Sequence, residues 1–590
     1  MGPEPVVSLE VRDSRRVPGL NVIWDRPCAV LDLALDDSVA ESFLERWQAA
    51  AREAQAALEW ESACAFRRFP GGMSLALAAP LDALYTATEV NEWAAAAAAA
   101  SLRAAPAPAP SLEQALPLLR RSLGRERRRK KGLVRLAAAA EAHGAGLFPD
   151  DDCTSVGMGA GSLSFATGAL PLASSIDWSR VHDVPTALVT GTNGKSTTVR
   201  LLAAMSQAAG RTCGISTTDW VRVGETILQR GDYSGPSGAR LVLRDQRVDL
   251  AVLECARGGL SRRGLAVRKV RAALITNVAR DHLGEWGVND LEALADVKFV
   301  LARAVEPGGA LVLNADDPVT LGRASRYDDD PRVAWFSRTA SNEVVARALA
   351  RGRGAAWQAE GALWCCMGGE RARVIGLDEA AFLFGGAAKH NVSNALAALC
   401  VARALELPWS AIRDGIAGFA SDPSGNPGRL NRFEFGGVQV LCDFAHNPHG
   451  MVPLLDLIRA LPARRRLVIL GQAGDRDDHS IRELARLSAQ AQVDRIVLKE
   501  MPEHLRGRAS GVVVAMLAQE LARAGYPAAQ VELAVDETDA VRRALVWSRP
   551  GDLLLLLLHA QRQAVLDWLA QLSREGWEPG RGEPTPPARA

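Results

Sequence analysis

The sequence predicts an α/β protein with a P-loop central domain and a Rossmann-like C-terminal domain, preceded by a smaller α+β region. From residue 184 onward, short β-rich runs alternate with helix-like segments, and a second such cycle starts after residue 422. This alternation is typical of βαβ units, whose parallel sheets carry helices on both faces. Six leucines at 553–558 follow a Pro-Gly-Asp turn, as in a buried strand of a parallel sheet. The 590 residues also require several domains, because one domain holds roughly 100–200 residues.

The first 110 residues predict a small α+β domain. Residues 28–35 have the composition of a strand, and residues 38–59 have a helical pattern. The alanine run at 94–100 favours helix, whereas the Ala-Pro repeat at 104–110 favours an extended chain, and together they predict a linker or an exposed insertion. Residues 120–131 are strongly basic, which indicates either a solvated helix face or a site for a polyanionic or acidic ligand.

Two larger domains are predicted after a connecting region at 111–183. The central domain covers residues 184–420 and the C-terminal domain residues 421–577, and residues 578–590, rich in Pro, Gly and Arg, are predicted to be disordered. The strands expected in the central domain are 186–190, 250–253, 272–276 and 310–313, with a helix at 196–209. The strands expected in the C-terminal domain are 438–443, 467–470, 495–498 and 552–558.

Composition excludes several classes of protein. Lys and Arg number 69 against 68 Asp and Glu, so the net charge of +1 cannot hold the chain on nucleic acid or an anionic membrane. The nine cysteines form no C-x-x-C pair, which indicates neither a zinc site nor a disulfide framework. Residues 1–16 lack the apolar stretch of a secretory signal, and no apolar run approaches the ~20 residues that span a bilayer. We therefore expect a cytoplasmic protein that binds neither nucleic acid nor membrane.

The strongest functional signal is the segment TGTNGKST at residues 190–197. It lies between a predicted buried strand and a predicted helix, which is the context of a phosphate-binding loop. Glycines let backbone N–H groups turn toward phosphate oxygens, and the helix N-terminus adds positive potential. The lysine would reach the β- and γ-phosphates, and the serine hydroxyl would bind Mg²⁺. The nucleotide-binding residues predicted here are Gly191, Thr192, Asn193, Gly194, Lys195, Ser196 and Thr197.

The loop departs from the general G-x-x-x-x-G-K-[ST] pattern, because Val189 stands where the first glycine would be. The tighter G-x-x-G-K-[ST] motif resembles that of the Mur ligase superfamily of ATP-dependent amide-forming ligases. Further segments match that superfamily in the same order along the chain. They are the acid Glu254, TN-x-x-x-DHL at 276–283, Lys298, NADD at 314–317, HN-x-x-NA at 390–395, PGR at 427–429 and DFAHNP at 443–448.

The resemblance implies a metal site. Ser196, Glu254 and His282 would serve magnesium, and Lys298 corresponds to a lysine that is carbamylated in many members. Addition of CO₂ turns this cation into an anionic oxygen ligand for a second metal ion. The implied cofactors are therefore ATP and two Mg²⁺ ions.

The resemblance also implies which residues lie at the nucleotide. Asn314, Asn391 and Asn394 would contact it from the central domain, and Arg429 and Asp443 would close over ATP from the C-terminal domain. The catalytic residues that the resemblance implies are Lys195, His282, Lys298 and Arg429.

Several sequence segments resemble in particular the Mur-like half of cyanophycin synthetases. In those enzymes this half adds arginine to the aspartate side chains of a poly-aspartate backbone. The segments include STTD at 216–219, GDYSGP at 231–236, ECARGGL at 254–260, GQAGDRD at 471–477 and, near the start, RRVPGLNVIW at 15–24. In those enzymes an ATP-grasp domain that extends the backbone lies between the N-terminal and Mur-like parts. Here residues 132–171 resemble a remnant of its entry, and the interval is too short for the domain, so we expect that activity to be absent. After the motif RGR at 506–508, the resemblance leads us to expect an acid directly after Gly511, but Val512 stands there. The identity of the amino acid that is added therefore stays open.

These features predict a ligase that joins a carboxylate to an amino acid through an acyl phosphate. An aspartate side chain of a cyanophycin-like peptide and arginine are the substrates that the resemblance implies. A Mur-type ligase acting on another acid is one alternative. Others are a non-catalytic ATP- or peptide-binding partner of a cyanophycin-type synthetase, and a plain P-loop NTPase, which has no need of PGR and DFAHNP. Homo-oligomerisation and association with such a synthetase both stay open.

Overall fold

The protein is described from a computed structural model, which covers residues 9–102, 109–281, 283–327 and 329–586. Four sheets follow one another along this part of the chain, with four, three, eleven and six strands. The predicted α/β class with a smaller N-terminal α+β region is confirmed. The predicted metal ligand His282 and most of the Ala-Pro repeat lie outside the described residues. Among the helices of the described ranges, none combines the length and the apolarity that a membrane crossing requires.

The N-terminal region is an antiparallel sheet of order β1-β2-β4-β3 covered by helices. Its elements are β1 (Glu10–Val17), β2 (Cys28–Ala34), α1 (Ala40–Ala57), β3 (Cys64–Phe69), β4 (Gly72–Ala78), α2 (Leu84–Ser101) and α3 (Leu112–Arg129). The predicted strand at 28–35 and helix at 38–59 are confirmed. The prediction that residues 94–100 form a linker or an exposed insertion is wrong, because they are the second half of α2. Ala94, Ala95, Ala98 and Ala99 are buried against α1 and the sheet, where small side chains allow close packing.

The basic residues at 120–131 lie mostly on α3, and their side chains are mainly exposed. The buried Glu126 among them accepts hydrogen bonds from the backbone N–H groups of Tyr85 and Thr86 at the start of α2. It therefore satisfies N–H groups that the helix itself leaves unpaired. This arrangement favours the interpretation of a solvated helix face.

The connecting region forms α4 (Leu133–Ala142) and a small antiparallel sheet of β5 (Leu147–Phe148), β6 (Cys153–Val156) and β7 (Leu163–Ala166). It is fixed to the central domain by backbone hydrogen bonds, including Ala160 N–H to the carbonyl of Val248 at 2.7 Å. Its origin as an ATP-grasp remnant stays a prediction.

The central domain is an eleven-stranded sheet of order β11-β10-β9-β12-β8-β13-β14-β15-β16-β17-β18. Its strands are β8 (Thr186–Thr190), β9 (Cys213–Ser216), β10 (Trp220–Val223), β11 (Thr226–Arg230), β12 (Leu250–Glu254), β13 (Val270–Ile275), β14 (Val305–Asn314), β15 (Val333–Ser337), β16 (Ala355–Ala359), β17 (Ala362–Met367) and β18 (Glu370–Gly376). Across the sheet, the seven strands β9, β12, β8, β13, β14, β15 and β16 are parallel to one another. An antiparallel hairpin of β10 and β11 extends one edge, and β17 and β18 extend the other edge in antiparallel fashion. The four predicted strands are confirmed, although β14 starts at Val305 rather than at residue 310.

Helices cover both faces of this sheet, as predicted. They are α5 (Lys195–Ala208), α6 (Pro236–Leu243), α7 (Arg257–Arg263), α8 (Leu291–Phe299), α9 (Pro318–Ala324), α10 (Glu343–Ala350), α11 (Lys389–Ala404) and α12 (Trp409–Ala417). One buried cluster joins the sheet to α5, α11 and α12, and another joins the opposite face to α6, α8 and α10.

The third domain is a six-stranded sheet of order β19-β20-β24-β21-β22-β23, parallel except for β19. Its elements are β19 (Asn431–Phe435), β20 (Val438–Asp443), α13 (Pro448–Ala460), β21 (Arg466–Leu470), α14 (Asp478–Gln490), β22 (Arg495–Lys499), α15 (Val512–Arg523), β23 (Val531–Ala534), α16 (Glu537–Trp547), β24 (Leu553–Leu557) and α17 (Arg562–Arg574). The leucine run is the fully buried central strand β24, as predicted. Residues 578–586 form no helix or strand, yet Pro584 is buried and Glu583 pairs with Arg542.

Lys499 at the end of β22 and Glu537 at the start of α16 form an ion pair inside the third domain. Their side chains are 0% and 1% exposed, and Glu537 also accepts hydrogen bonds from the backbone N–H groups of His559 and Gln561. Glu537→Gln would leave the lysine without a counter-charge, so we expect the free energy of unfolding to fall by about 3 kcal/mol. Chemical unfolding measures this loss. The control Glu532→Gln removes a half-exposed partner of arginines and should cost under about 1 kcal/mol; equal losses would contradict the prediction.

Candidate active site

The phosphate-binding loop connects β8 to α5 near the middle of the large sheet. Two of its glycines have a positive φ, and a Cβ on either would collide with a neighbouring side chain. A Cβ on Gly191 would lie 1.7 Å from Thr276 Oγ1, and one on Gly194 would lie 2.2 Å from Asn394 Oδ1. Only glycine fits these two positions. The neighbouring side chains that exclude a Cβ are Thr276 of the TN segment at Gly191 and Asn394 of the HN-x-x-NA segment at Gly194. The Lys195 ammonium lies over the loop and donates to the carbonyl of Thr192 at 3.0 Å.

Two cavities meet at this loop, and Asn193, Gly194 and Thr197 line both of them. The first cavity has a volume of about 570 Å³ and lies between the central and third domains. The second has a volume of about 910 Å³ and extends from the loop to α7 and α8. A molecule bound in the first cavity can therefore present its phosphates to a molecule bound in the second.

Ser196 and Glu254 lie side by side at the second cavity. The Ser196 hydroxyl donates to Glu254 Oε2 at 2.7 Å, and the Thr218 hydroxyl donates to Glu254 Oε1 at 2.8 Å. The pair forms because β8 and β12 are parallel neighbours, whose carboxyl ends meet at one edge of the sheet. A hydroxyl and a carboxylate are ligands that suit Mg²⁺ when phosphate oxygens and waters complete the shell. Within the described residues no group of three or more His, Cys, Asp or Glu could hold a metal ion.

Lys298 lies on α8, lines the second cavity and is 2% exposed. Burial, and to a lesser degree the positive charge of Lys195, hold the pKa of Lys298 well below its usual range. The amine is therefore neutral at a much lower pH than an exposed lysine, and a neutral amine is the nucleophilic form that CO₂ requires.

The third domain contributes Arg429, which lines both cavities, and Asp443, which lines the first. The Arg429 guanidinium lies 4.6 Å from the ring centre of Phe444, and its Nε has no hydrogen-bond partner within the described part of the chain. Burial raises the pKa of Asp443, which accepts hydrogen bonds from the backbone N–H groups of Leu430 and Ala445. These bonds hold the PGR and DFAHNP segments against each other.

An uncharged contact joins the loop directly to the third domain. Asn193 and Asn447 exchange two hydrogen bonds between their side-chain amides, at 3.1 and 3.2 Å. His449 Nδ1 lies 3.0 Å from Asn193 Nδ2. The third domain is thus docked on the phosphate-binding loop itself.

The three asparagines predicted to lie at the nucleotide all line the first cavity. Asn314 donates to the carbonyl of Thr276 at 2.8 Å, Asn391 donates to the carbonyl of Phe382 at 2.9 Å, and Asn394 lies beside Gly194. The structure therefore brings together every predicted site residue that it describes, from segments far apart in the sequence.

The N-terminal region contacts a residue that lines the second cavity. Arg67 on β3 donates to the carbonyl of Trp286 at 2.7 Å, and Trp286 lines this cavity. The Arg262 guanidinium lies 4.6 Å from the Trp286 ring centre. Part of the cavity wall is thus held by residues outside the central and third domains.

Sequence reasoning missed several residues of the site. His449 lines the first cavity, and its position directly after DFAHNP is the signal that could have found it. His559 is partly buried and lines the second cavity, and its Nε2 lies 3.0 Å from the carbonyl of Ala445. Of the RGR motif, Arg506 lines the second cavity, whereas Arg508 donates to backbone carbonyls beneath it.

Comparison with known families finds two matches along the chain. Residues 189–402 match the Mur ligase middle domain, and residues 428–557 match the glutamate ligase domain of Mur ligases. These ranges contain the loop, both cavity-lining asparagine segments, the DFAHNP segment and the last two residues of PGR.

Among curated proteins, the chain is similar to cyanophycin synthetase of Synechocystis, with 37% identity over 362 residues. The match covers 61% of this chain and 41% of that protein, so the chain spans less than half of its length. It is 28% identical over 376 residues to UDP-N-acetylmuramoyl-L-alanyl-D-glutamate–2,6-diaminopimelate ligase of Gloeobacter violaceus, covering 62% and 70% of the two chains. Among solved structures, E. coli FolC in complex with ADP matches with a TM-score of 0.48 and 19% identity, covering 66% of this chain and 90% of that one.

Proposed function

The chain contains the middle and C-terminal domains of the Mur ligase family, and from this premise we propose that it is an ATP-dependent ligase forming an amide between a carboxylate and an amino acid. The observation that carries the proposal is the position of the phosphate-binding loop between two cavities. A nucleotide in the first cavity would point its terminal phosphate at substrates in the second. A protein that only hydrolysed ATP would need no second cavity of this size.

The chemistry follows from this arrangement in two steps. The acceptor carboxylate attacks the γ-phosphorus in line, the bond to the β-phosphate oxygen breaks, and ADP leaves an acyl phosphate behind. The amine of the incoming amino acid then attacks the acyl carbon, and inorganic phosphate leaves as the amide forms and the nitrogen loses a proton. Both steps depend mainly on positioning and on stabilisation of negative charge.

The chain's own residues have distinct tasks in these steps. Lys195 and Arg429 would neutralise charge on the transferred phosphoryl group from opposite domains. Ser196 and Glu254 would hold Mg²⁺, which supplies further positive charge at the phosphate oxygens. Docking of the third domain through Asn193 and its partners excludes water that would otherwise hydrolyse the acyl phosphate.

For the substrates, we propose an aspartate side chain as acceptor and arginine as the amino acid. Support comes from the 37% identity to cyanophycin synthetase and from the charges of the second cavity. Arginine side chains suit carboxylates, and six of them line this cavity: Arg257, Arg262, Arg263, Arg429, Arg476 and Arg506. Asp232 also lines it and forms no ion pair within the described ranges, so its carboxylate can accept a guanidinium.

The test is ADP release by the purified protein with a panel of amino acids and acidic acceptors, among them aspartyl peptides. Turnover that requires both an acceptor and an amino acid would support the ligase. Turnover indifferent to both would favour an NTPase. No turnover with any pair, despite nucleotide binding, would favour a non-catalytic partner of a cyanophycin-type synthetase.

Glu254→Gln is expected to raise the Mg²⁺ concentration needed for half-maximal activity by at least about tenfold. The amide keeps the shape of the side chain but removes the negative charge that Mg²⁺ prefers. Titration of activity with MgCl₂ at saturating ATP measures the effect. The control Glu225→Gln changes an exposed glutamate of the same domain and should leave the curve unchanged. Coincident curves for Glu254→Gln and the wild type would contradict the metal assignment.

A further inference from the structure

Asp219 lies in the segment between β9 and β10 and binds arginines from two domains. Its carboxylate is 5% exposed and forms ion pairs with Arg200 on α5 and with Arg562 at the start of α17. Arg200 is 1% exposed and belongs to the helix that begins with the phosphate-binding lysine. Asp219 is therefore a central-domain anion on which a third-domain arginine is docked.

Both arginines of this cluster hold the turn that carries Arg429. Arg200 Nη1 donates to Asn426 Oδ1 at 2.7 Å, and the Asn426 carbonyl accepts the backbone N–H of Arg429 at 3.2 Å. Arg562 packs on the other side of the turn, where a Cβ on Gly428 would lie 2.4 Å from its Cδ.

Arg562 also lies on the ring against which Arg429 is stacked. The guanidinium of Arg562 lies 5.0 Å from the ring centre of Phe444, and that of Arg429 lies 4.6 Å from the same ring centre. The two cations share one aromatic ring, so a displacement of Arg562 would be transmitted to Arg429.

We propose that Asp219 and Arg562 form an interdomain clasp that docks the third domain and fixes Arg429 at the transferred phosphoryl group. Both are positioning residues, because neither lies at the reacting atoms and both act through the PGR turn. The proposal rests on the proposed ligase function for its kinetic readout. Its geometric content, that the clasp holds two domains together, does not depend on the reaction.

The electrostatics favour a clasp that stays charged. Burial alone would raise the pKa of Asp219, but Arg200, Arg429 and Arg562 together lower it to about 2. Three cations therefore compensate one buried carboxylate, and removal of Arg562 still leaves Arg200 to pair with it. Arg562→Gln is for this reason the milder of the two substitutions.

The experiment compares Arg562→Gln and Asp219→Asn with matched controls. Arg574→Gln changes an exposed arginine on the same helix, and Asp249→Asn removes a half-exposed partner of Arg211. We expect kcat for amide formation to fall about 10- to 100-fold in Arg562→Gln, with little change in KM for the amino acid. Arg562→Lys should restore part of the rate, since it keeps the charge but loses the planar fork. The double variant Asp219→Asn/Arg562→Gln should be no slower than the slower single variant.

If Asp219→Asn does not fold, Arg562→Gln decides the outcome. The proposal would be overturned if folded Arg562→Gln kept a kcat within about twofold of the wild type. It would also be overturned if the control Arg574→Gln lowered kcat as much as Arg562→Gln does. Strictly multiplicative losses in the double variant would overturn it as well.

Absence of ligase turnover in the wild type would contradict the proposed function but not the clasp. In that case small-angle X-ray scattering in the presence of ADP tests the clasp. A larger radius of gyration in Arg562→Gln than in the wild type and in Arg574→Gln would then support the clasp, and identical scattering curves would overturn it.

Discussion

Lys195→Ala is expected to lower the rate of acceptor-dependent ADP release by about 10³-fold or more. The Lys195 ammonium lies over the phosphate-binding loop and, within the described residues, donates to one backbone carbonyl there, at 3.0 Å. It is therefore free to move onto the β- and γ-phosphates, where negative charge develops during transfer. Initial rates of ADP release at saturating substrates measure the loss.

A structural explanation for this loss can be separated from a catalytic one. Lys195 begins α5 and its side chain is only partly buried, so the alanine variant should unfold at the same denaturant concentration as the wild type. Lys269→Ala removes an exposed lysine of the same domain and should retain full activity. More than about a tenth of the wild-type rate in Lys195→Ala would show that the loop does not serve phosphoryl transfer.

Lys298→Ala is expected to lower the same rate by about 100- to 1,000-fold. Burial depresses the pKa of Lys298, so its amine stays neutral until the pH falls through that lowered value. A neutral amine can attack CO₂, lose one proton and become a carbamate, which offers anionic oxygens in the cavity that Ser196 and Glu254 also line. Wild-type activity should therefore decline in CO₂-depleted buffer and return with bicarbonate.

Lys298→Arg provides the matched variant for this prediction. The guanidinium keeps a cation at the position but does not form a carbamate, so its activity should stay low with bicarbonate. Mass spectrometry of the intact wild type under CO₂ checks the adduct independently. Activity of Lys298→Arg close to that of the wild type would rule out a carbamate ligand.

The fold was predictable where apolar strands alternate with helices. Residues 186–190 and 438–443 are strands at the predicted positions, because each is a short buried run next to a motif. The alanine run at 94–100 was misjudged because alanine favours a helix whether it is buried or exposed, and only packing against α1 distinguishes the two cases. The hairpins at the sheet edges were likewise not predicted, since they break the βαβ rhythm.

The site was predictable where a motif lies at the end of a parallel strand. Ser196 and Glu254 meet because β8 and β12 are neighbours, and the resemblance to the Mur ligase superfamily already implied that both serve magnesium. The contact of Asp219 with Arg562 joins residues 343 positions apart and depends on how two domains dock. Neither residue carries a pattern that reveals its partner, so only the three-dimensional arrangement identifies the pair.

The paired amides of Asn193 and Asn447 have a consequence for the behaviour of the protein in concentrated electrolyte. Dissolved ions screen the attraction between solvent-exposed charges, with a screening length of about 3 Å at 1 M salt. They weaken a hydrogen bond between neutral amides much less. The junction between the loop and the third domain should therefore persist in brine that dissociates the peripheral ion pairs of the surface.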